Sequence, residues 1–149
     1  MRAVAAQNGR IFVTELDEPG LLPGHVLIRT EYSAISPGTE MTMTRNSGDA
    51  PVILGYNAVG IVEEVGEGVE GVEAGDRVAC YGAPYVRHAE RLAVPSNLTA
   101  KVPDHVDPRE AAFAGLGAIA IHALRTAQLQ FGESAIVVGL GILGNLIAQ

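Results

Sequence analysis

Ala135-Ile136-Val137-Val138-Gly139-Leu140-Gly141-Ile142-Leu143-Gly144 is the stretch on which the reading of this chain turns. Four apolar residues of strand type run into a G-x-G-x-x-G sequence, and Asn145 to Gln149 then reads as a helix start. Strand, glycine turn and helix in that order are what a dinucleotide-binding turn requires. Gly139 allows the tight turn, Gly141 lets the backbone approach a pyrophosphate, and Gly144 lets helix and strand pack closely, with the phosphate on the helix N-terminus. Gly139, Leu140, Gly141, Ile142, Leu143 and Gly144 are therefore the candidate cofactor-binding residues, the cofactor being NADP or NAD. The residue that chooses between the two lies about 20 positions into such a unit, past Gln149. A βαβ unit also needs a second parallel strand, and none follows within residues 1–149. The expectation is that these residues alone do not hold the dinucleotide. An apolar 135–138 strand without neighbours would present an edge that templates pairing with another chain.

Upstream, the texture differs. Asn8-Gly9 between Ala3-Val4-Ala5 and Ile11-Phe12-Val13 is a type I′ hairpin signal. Pro19-Gly20 and Pro23-Gly24 punctuate the next connection. His25 to Ser33 alternates as a strand, Val26, Ile28, Thr30 and Tyr32 on one face. Ser36-Pro37-Gly38-Thr39 reads as a loop and Pro51 to Val65 as extended chain. Gly66, Gly68, Gly71 and Gly75 mark turns, and the interleaved Glu63, Glu64, Glu67, Glu70 and Glu73 read as solvated positions. Arg77 to Tyr81, Val86 to Val94 and Leu98 to Val102 complete an all-β module of barrel or sandwich type. From Asp107-Pro108-Arg109-Glu110 the pattern turns helical, with Asp as N-cap and Pro at the first helical position. Gly115 and Gly117 are expected to interrupt it, Ala118 to Gln130 to resume it and Gly132 to cap it.

Composition narrows the classes. With 17 acidic against 10 basic residues, a net charge of −7 and no Lys/Arg cluster, nucleic acid is not an expected partner. A single cysteine, Cys80, excludes an internal disulfide framework and fits a reducing, cytoplasmic setting. Neither apolar stretch, 111–124 or 135–148, reads as a membrane span of about 20 residues, and the N-terminus lacks a signal-type apolar core. A small-molecule substrate is the expected partner, and a homo-oligomer stays open.

Ile61-Val62-Glu63-Glu64-Val65-Gly66-Glu67-Gly68-Val69, then Gly75-Asp76-Arg77-Val78, then Asn97 to Pro103, a helix and the glycine turn follow one another in this order and spacing. The arrangement resembles the medium-chain dehydrogenase/reductase superfamily over essentially the whole chain. The resemblance implies a mainly β, GroES-like barrel domain over residues 1–104. Linking helices and the first βα unit of an incomplete α/β Rossmann domain would occupy residues 105–149. It implies an enzyme that moves a hydride between NAD(P) and an alcohol, carbonyl or activated alkene.

The zinc-dependent members of that superfamily carry ligands that this sequence lacks. Their loop cysteine corresponds to Ser36, their Gly-His-Glu to Gly55-Tyr56-Asn57, and their third ligand falls near Leu116. Their four-cysteine lobe is reduced here to Tyr81-Gly82-Ala83-Pro84-Tyr85. Zinc needs about three N, S or O protein donors, so no zinc is expected and the metal-ligand set is empty. The resemblance then points to relatives such as quinone and enoyl reductases, in which hydrogen-bond donors polarise the substrate. Ser36, Tyr56 and Asn57 become the candidate catalytic and pocket residues, Tyr56 either donating a proton or serving as an amphipathic wall.

His88, in Val86-Arg87-His88-Ala89-Glu90, is the fourth catalytic candidate, an acid or base near neutral pH. Its plainer reading is an exposed strand or loop residue. His122 reads as a partly buried helix residue and Cys80 as core. Two other readings stand beside the zinc-independent oxidoreductase: a truncated barrel acting as a non-catalytic binding module, and a zinc-type alcohol dehydrogenase relative.

Overall fold

The computed structural model describes all of residues 1–149. In chain order its elements are β1 (Arg2–Gln7), β2 (Arg10–Glu15), β3 (His25–Ser33), α1 (Pro37–Arg45), β4 (Val52–Ile53), β5 (Asn57–Val65), β6 (Arg77–Tyr81), β7 (Arg91–Pro95), a 3-10 turn (Ser96–Leu98), β8 (Thr99–Lys101), α2 (Pro108–Ala111), α3 (Ala114–Thr126) and α4 (Ile142–Ala148). No helix is long and apolar enough to cross a membrane.

The first hairpin forms as its turn residues dictate. Asn8 and Gly9 take positive φ values of 49° and 74°, the backbone of a two-residue I′ turn. β1 and β2 then pair from Arg2–Glu15 to Gln7–Arg10. Strand order is β2-β1-β4 in one sheet and β7-β3-β5-β6-β8 in the other, and every strand pair is antiparallel. Residues 88–90 stitch the sheets together. Val4 N–H donates to the His88 carbonyl at 2.8 Å, Thr30 N–H donates to the Glu90 carbonyl at 3.0 Å, and Ala3 bridges Ala89. The result is a curled, barrel-like shell. Its interior is filled by alternate residues of the facing strands, among them Val26, Ile28, Val62, Val78, Leu92 and Val94. Each is essentially inaccessible, and burying such a side chain stabilises the fold by about 1.5–3 kcal/mol. Glu64, Glu67, Glu70 and Glu73 are exposed, as their turns required, whereas Glu63 is half-buried and pairs with Arg91 at 2.9 Å.

Several local expectations are corrected. Ser36-Pro37-Gly38-Thr39 does not make a loop: Ser36 is the N-cap of α1 and Pro37 its first residue, because proline there gives up a donor that the helix start leaves unpaired. The strand expected over Val86 to Val94 shrinks to β7, since residues 86–90 spend their backbone groups on Leu54, β1, β3 and local turns. β8 is confined to Thr99–Lys101 behind the 3-10 turn. Asp107 caps α2 as read, its carboxylate accepting from Arg109 N–H at 2.8 Å. α3 runs unbroken through Gly115 and Gly117, because its first turn is pressed against β5 and β6. It ends before Gln128, where φ reaches 54°, well short of Gly132. His122 on this helix is exposed rather than partly buried. Ala135 to Val138 leads into the glycine turn but forms no ladder, for want of a partner strand among residues 1–149. Ile136 and Val138 are accordingly 92% and 94% exposed.

Candidate active site

Antiparallel pairing of β3 with β5 brings the two loops of interest together. Ser33 lies opposite Ala58, and Ala34 N–H donates to the Asn57 carbonyl at 3.1 Å. Ser36 therefore leaves the end of β3 just where Tyr56 and Asn57 enter β5. Helix α1 turns Thr39 over this junction, and the Tyr56 hydroxyl donates to Thr39 Oγ1 at 3.3 Å. The Tyr56 ring meets the edge of Tyr81, with centroids 5.8 Å apart. The paired ends of β3 and β5 thus bring the backbone at Ser36 close to that at Tyr56 and Asn57.

Asn57 is the unusual member. It is fully buried, and neither Oδ1 nor Nδ2 has a hydrogen-bond partner in the chain. A buried amide left in this way loses its water contacts without replacing them, at about 1–3 kcal/mol. The first turn of α3 covers it: a Cβ on Gly115 would strike Asn57 Oδ1 and the Tyr81 ring. Beside this contact lies a largely apolar cleft of about 270 Å³ between β6, β8 and α3, walled by Tyr81, Leu98 and Ala118 among others. Cys80, at its edge, is 4% exposed, its thiol donates to the Ala58 carbonyl and burial pushes its pKa up to about 12, so it is a packing residue and no nucleophile.

His88 departs from the expectation of an exposed residue. It is buried, Nδ1 lies 2.8 Å from Ser33 Oγ, and Nε2 lies 2.8 Å from Glu40 Oε2. Both ring nitrogens are therefore engaged within the protein. Glu40 is itself 5% exposed, and its other oxygen accepts from Ser36 N–H at 2.7 Å. Sequence reasoning missed Ser33, Thr39 and Glu40. The one available signal was the Ser-Pro-x-x-Glu run at residues 36–40, a helix start whose carboxylate returns to the N-cap amide.

The glycine turn lies apart from this cluster, at the N-terminus of α4, and α3 is the element that touches both. Gly139 takes a φ of 91°, Gly141 is the N-cap of α4 with open space where a Cβ would point, and a Cβ on Gly144 would collide with the Gly139 carbonyl. The Asn145 amide closes the turn by donating to the Leu140 carbonyl at 2.7 Å and to that of Gly141 at 3.1 Å. This geometry fits a pyrophosphate: the first and third glycines are sterically required, and the second leaves the approach clear. The residues at the zinc-ligand positions fit their metal poorly. They supply a hydroxyl, a phenol and an amide, Leu116 is core at 1% exposure, and no three His, Cys, Asp or Glu side chains converge elsewhere.

Known proteins place this architecture. The chain is 27% identical to (R,R)-butanediol dehydrogenase of Bacillus subtilis, matching over all of its own length and 54% of that protein's. An alcohol dehydrogenase structure from Thermus sp. ATN1 superposes with a TM-score of 0.84 at 30% identity, covering 99% of this chain and 53% of that one. A quinone oxidoreductase from Thermus thermophilus, solved also in complex with NADPH, superposes with a TM-score of 0.69 at 29% identity, covering 89% and 43%. The chain spans about half the length of the curated relatives it matches. The profile of the alcohol dehydrogenase GroES-like domain runs across residues 22–129, from the connection before β3 to just past the end of α3. That match takes in β3 to β8 and the helices α1 to α3, and the chain belongs to the alcohol dehydrogenase GroES-like family.

Proposed function

We propose that the protein is a cytoplasmic, NAD(P)-dependent oxidoreductase that works without zinc, on a carbonyl and its alcohol or on an activated alkene. The observation that carries this reading is the glycine turn, in which Gly139 and Gly144 have no room or backbone freedom for any other residue. Relatives named as dehydrogenases, and the NADPH complex of a quinone oxidoreductase, support it.

When bound, the nicotinamide supplies or accepts the hydride. The residues of this chain orient the substrate and handle charge. Gly139 to Gly144 seat the pyrophosphate on their backbone N–H groups. The Tyr56 hydroxyl, half-buried and loosely held at 3.3 Å by Thr39, donates to the substrate oxygen as negative charge grows there. Asn57, buried and without a partner in the chain, offers a second donor at Nδ2. Ser36, at the N-cap of α1, lies at the neighbouring end of β3. The apolar cleft between β6, β8 and α3 adjoins Asn57 through Gly115 and Tyr81.

The test is made on the complete polypeptide, with NADPH and NADH titrated by fluorescence, turnover measured on quinones, enones and vicinal diols, and bound metal quantified. The expected outcome is saturable binding of one dinucleotide and chelator-resistant turnover. Tyr56→Phe is expected to lower kcat by about 10²–10³-fold, the loss typical of one donor to a developing oxyanion. Stoichiometric zinc would instead favour the zinc-type dehydrogenase, and absence of dinucleotide binding would leave a non-catalytic barrel.

A further inference from the structure

The pair His88–Glu40 is buried, both partners are titratable, and neither touches the cleft that the proposed reaction uses. Its hydrogen bonds run to both loops of the site. On one side, Glu40 Oε1 accepts from Ser36 N–H at 2.7 Å, tying the N-cap backbone of α1 to its first turn although the Ser36 side chain makes no cap. That contact fixes where α1 begins, and with it the position of Thr39, the partner of the Tyr56 hydroxyl. On the other side, His88 N–H donates to the Leu54 carbonyl at 2.8 Å. Gly55 follows Leu54, with a φ of 98° and His88 backbone and ring atoms filling the place of its missing Cβ. The next residues are Tyr56 and Asn57. A carboxylate can only accept, so the Nε2–H of His88 donates to Glu40 Oε2 while Nδ1 lies against the Ser33 hydroxyl.

We propose that His88, acting through Glu40, is a positioning residue that locks the Ser36–Thr39 turn against the Gly55–Asn57 turn, and that it is no acid or base for the reaction. This inference rests on the proposed oxidoreductase reading for its activity readout only. Loss of the lock lets Thr39 and Tyr56 drift relative to each other, so orientation suffers while dinucleotide binding at the distant glycine turn does not.

The test compares His88→Ala, Glu40→Ala and His88→Gln, whose amide still donates to Glu40, with His105→Gln on the exposed surface as a control. Amide exchange at Ser36 is measured in each folded variant beside that of Ile28 in the core. Loss of protection at Ser36 of about tenfold or more in both alanine variants, with Ile28 unchanged and recovery in His88→Gln, is expected. In the complete enzyme, kcat should fall by about 10²-fold in His88→Ala with KM for the dinucleotide and the shape of the pH–rate profile unchanged. Unchanged Ser36 protection, no recovery with Gln, or loss of one limb of the pH profile would each overturn the proposal. If the wild-type enzyme turns over no substrate, the oxidoreductase reading fails by itself and the exchange measurement alone decides this one.

Discussion

Two glycines two residues apart on α3 make opposite predictions. Gly115 is packed so closely on Asn57 Oδ1 and the Tyr81 ring that an alanine methyl has no place, whereas Gly117 has nothing within 4 Å of its missing Cβ. Alanine in a helix interior gains up to about 1 kcal/mol over glycine, and overpacking a filled contact costs about 1–3 kcal/mol. Gly115→Ala should therefore lower the midpoint of chemical unfolding and Gly117→Ala should raise it, with unchanged m-values. At this scale the sequence was partly legible. Ser36, Tyr56 and Asn57 were identified through the positions they occupy in a known pattern, and the structure does bring them together. Glu40 was not, because a carboxylate on a helix start usually faces water. Only the fold shows that residues 48 apart, Glu40 and His88, meet in the interior.

Elements were legible where the local signal and the tertiary environment agree. The Asn8-Gly9 hairpin needs nothing beyond its own backbone, and the Asp107 cap is closed within three residues. α1 and α3 were misread because their glycines and prolines were weighed as breakers, while the first turn of α3 is held by the strands beneath it. The Asp107 cap carries a pH signature. Arg109, through its guanidinium first and its backbone N–H second, draws the Asp107 carboxyl from its ordinary 3.8 down to about 2. A depressed folded value means that stability is fully present above the unfolded value near 3.8 and is lost as pH falls through about 2. Asp107→Asn keeps a capping oxygen but does not titrate. Between pH 4 and 2 the wild type should lose stability relative to this variant, with acid unfolding followed by circular dichroism as the measure. Parallel loss in both proteins would show that the cap does not contribute.

The whole molecule sets a well-filled interior against a strongly exposed apolar segment at residues 131–140. The interior closes through pairings distant in sequence, such as Val4 N–H with the His88 carbonyl at 2.8 Å. Phe131, Ile136, Val138 and Leu140 by contrast stand 109%, 92%, 94% and 68% exposed. That grouping favours association of the 149-residue polypeptide with itself. Sedimentation should show concentration-dependent oligomers that Val138→Lys reduces, whereas a monomer at all concentrations would count against it. The glycine turn belongs to this same region yet is built by contacts within six residues, from Gly144 back to Gly139 and from Asn145 back to Leu140. The entropy of closing a loop rises with its length, and folding slows as contacts become more distant along the chain. The long-range pairings of the barrel therefore govern how quickly this polypeptide folds, and the glycine turn adds only short-range contacts to that search. The seven-residue helix after the turn is too short to persist unaided, so the turn sets its own backbone path but draws its persistence from α3.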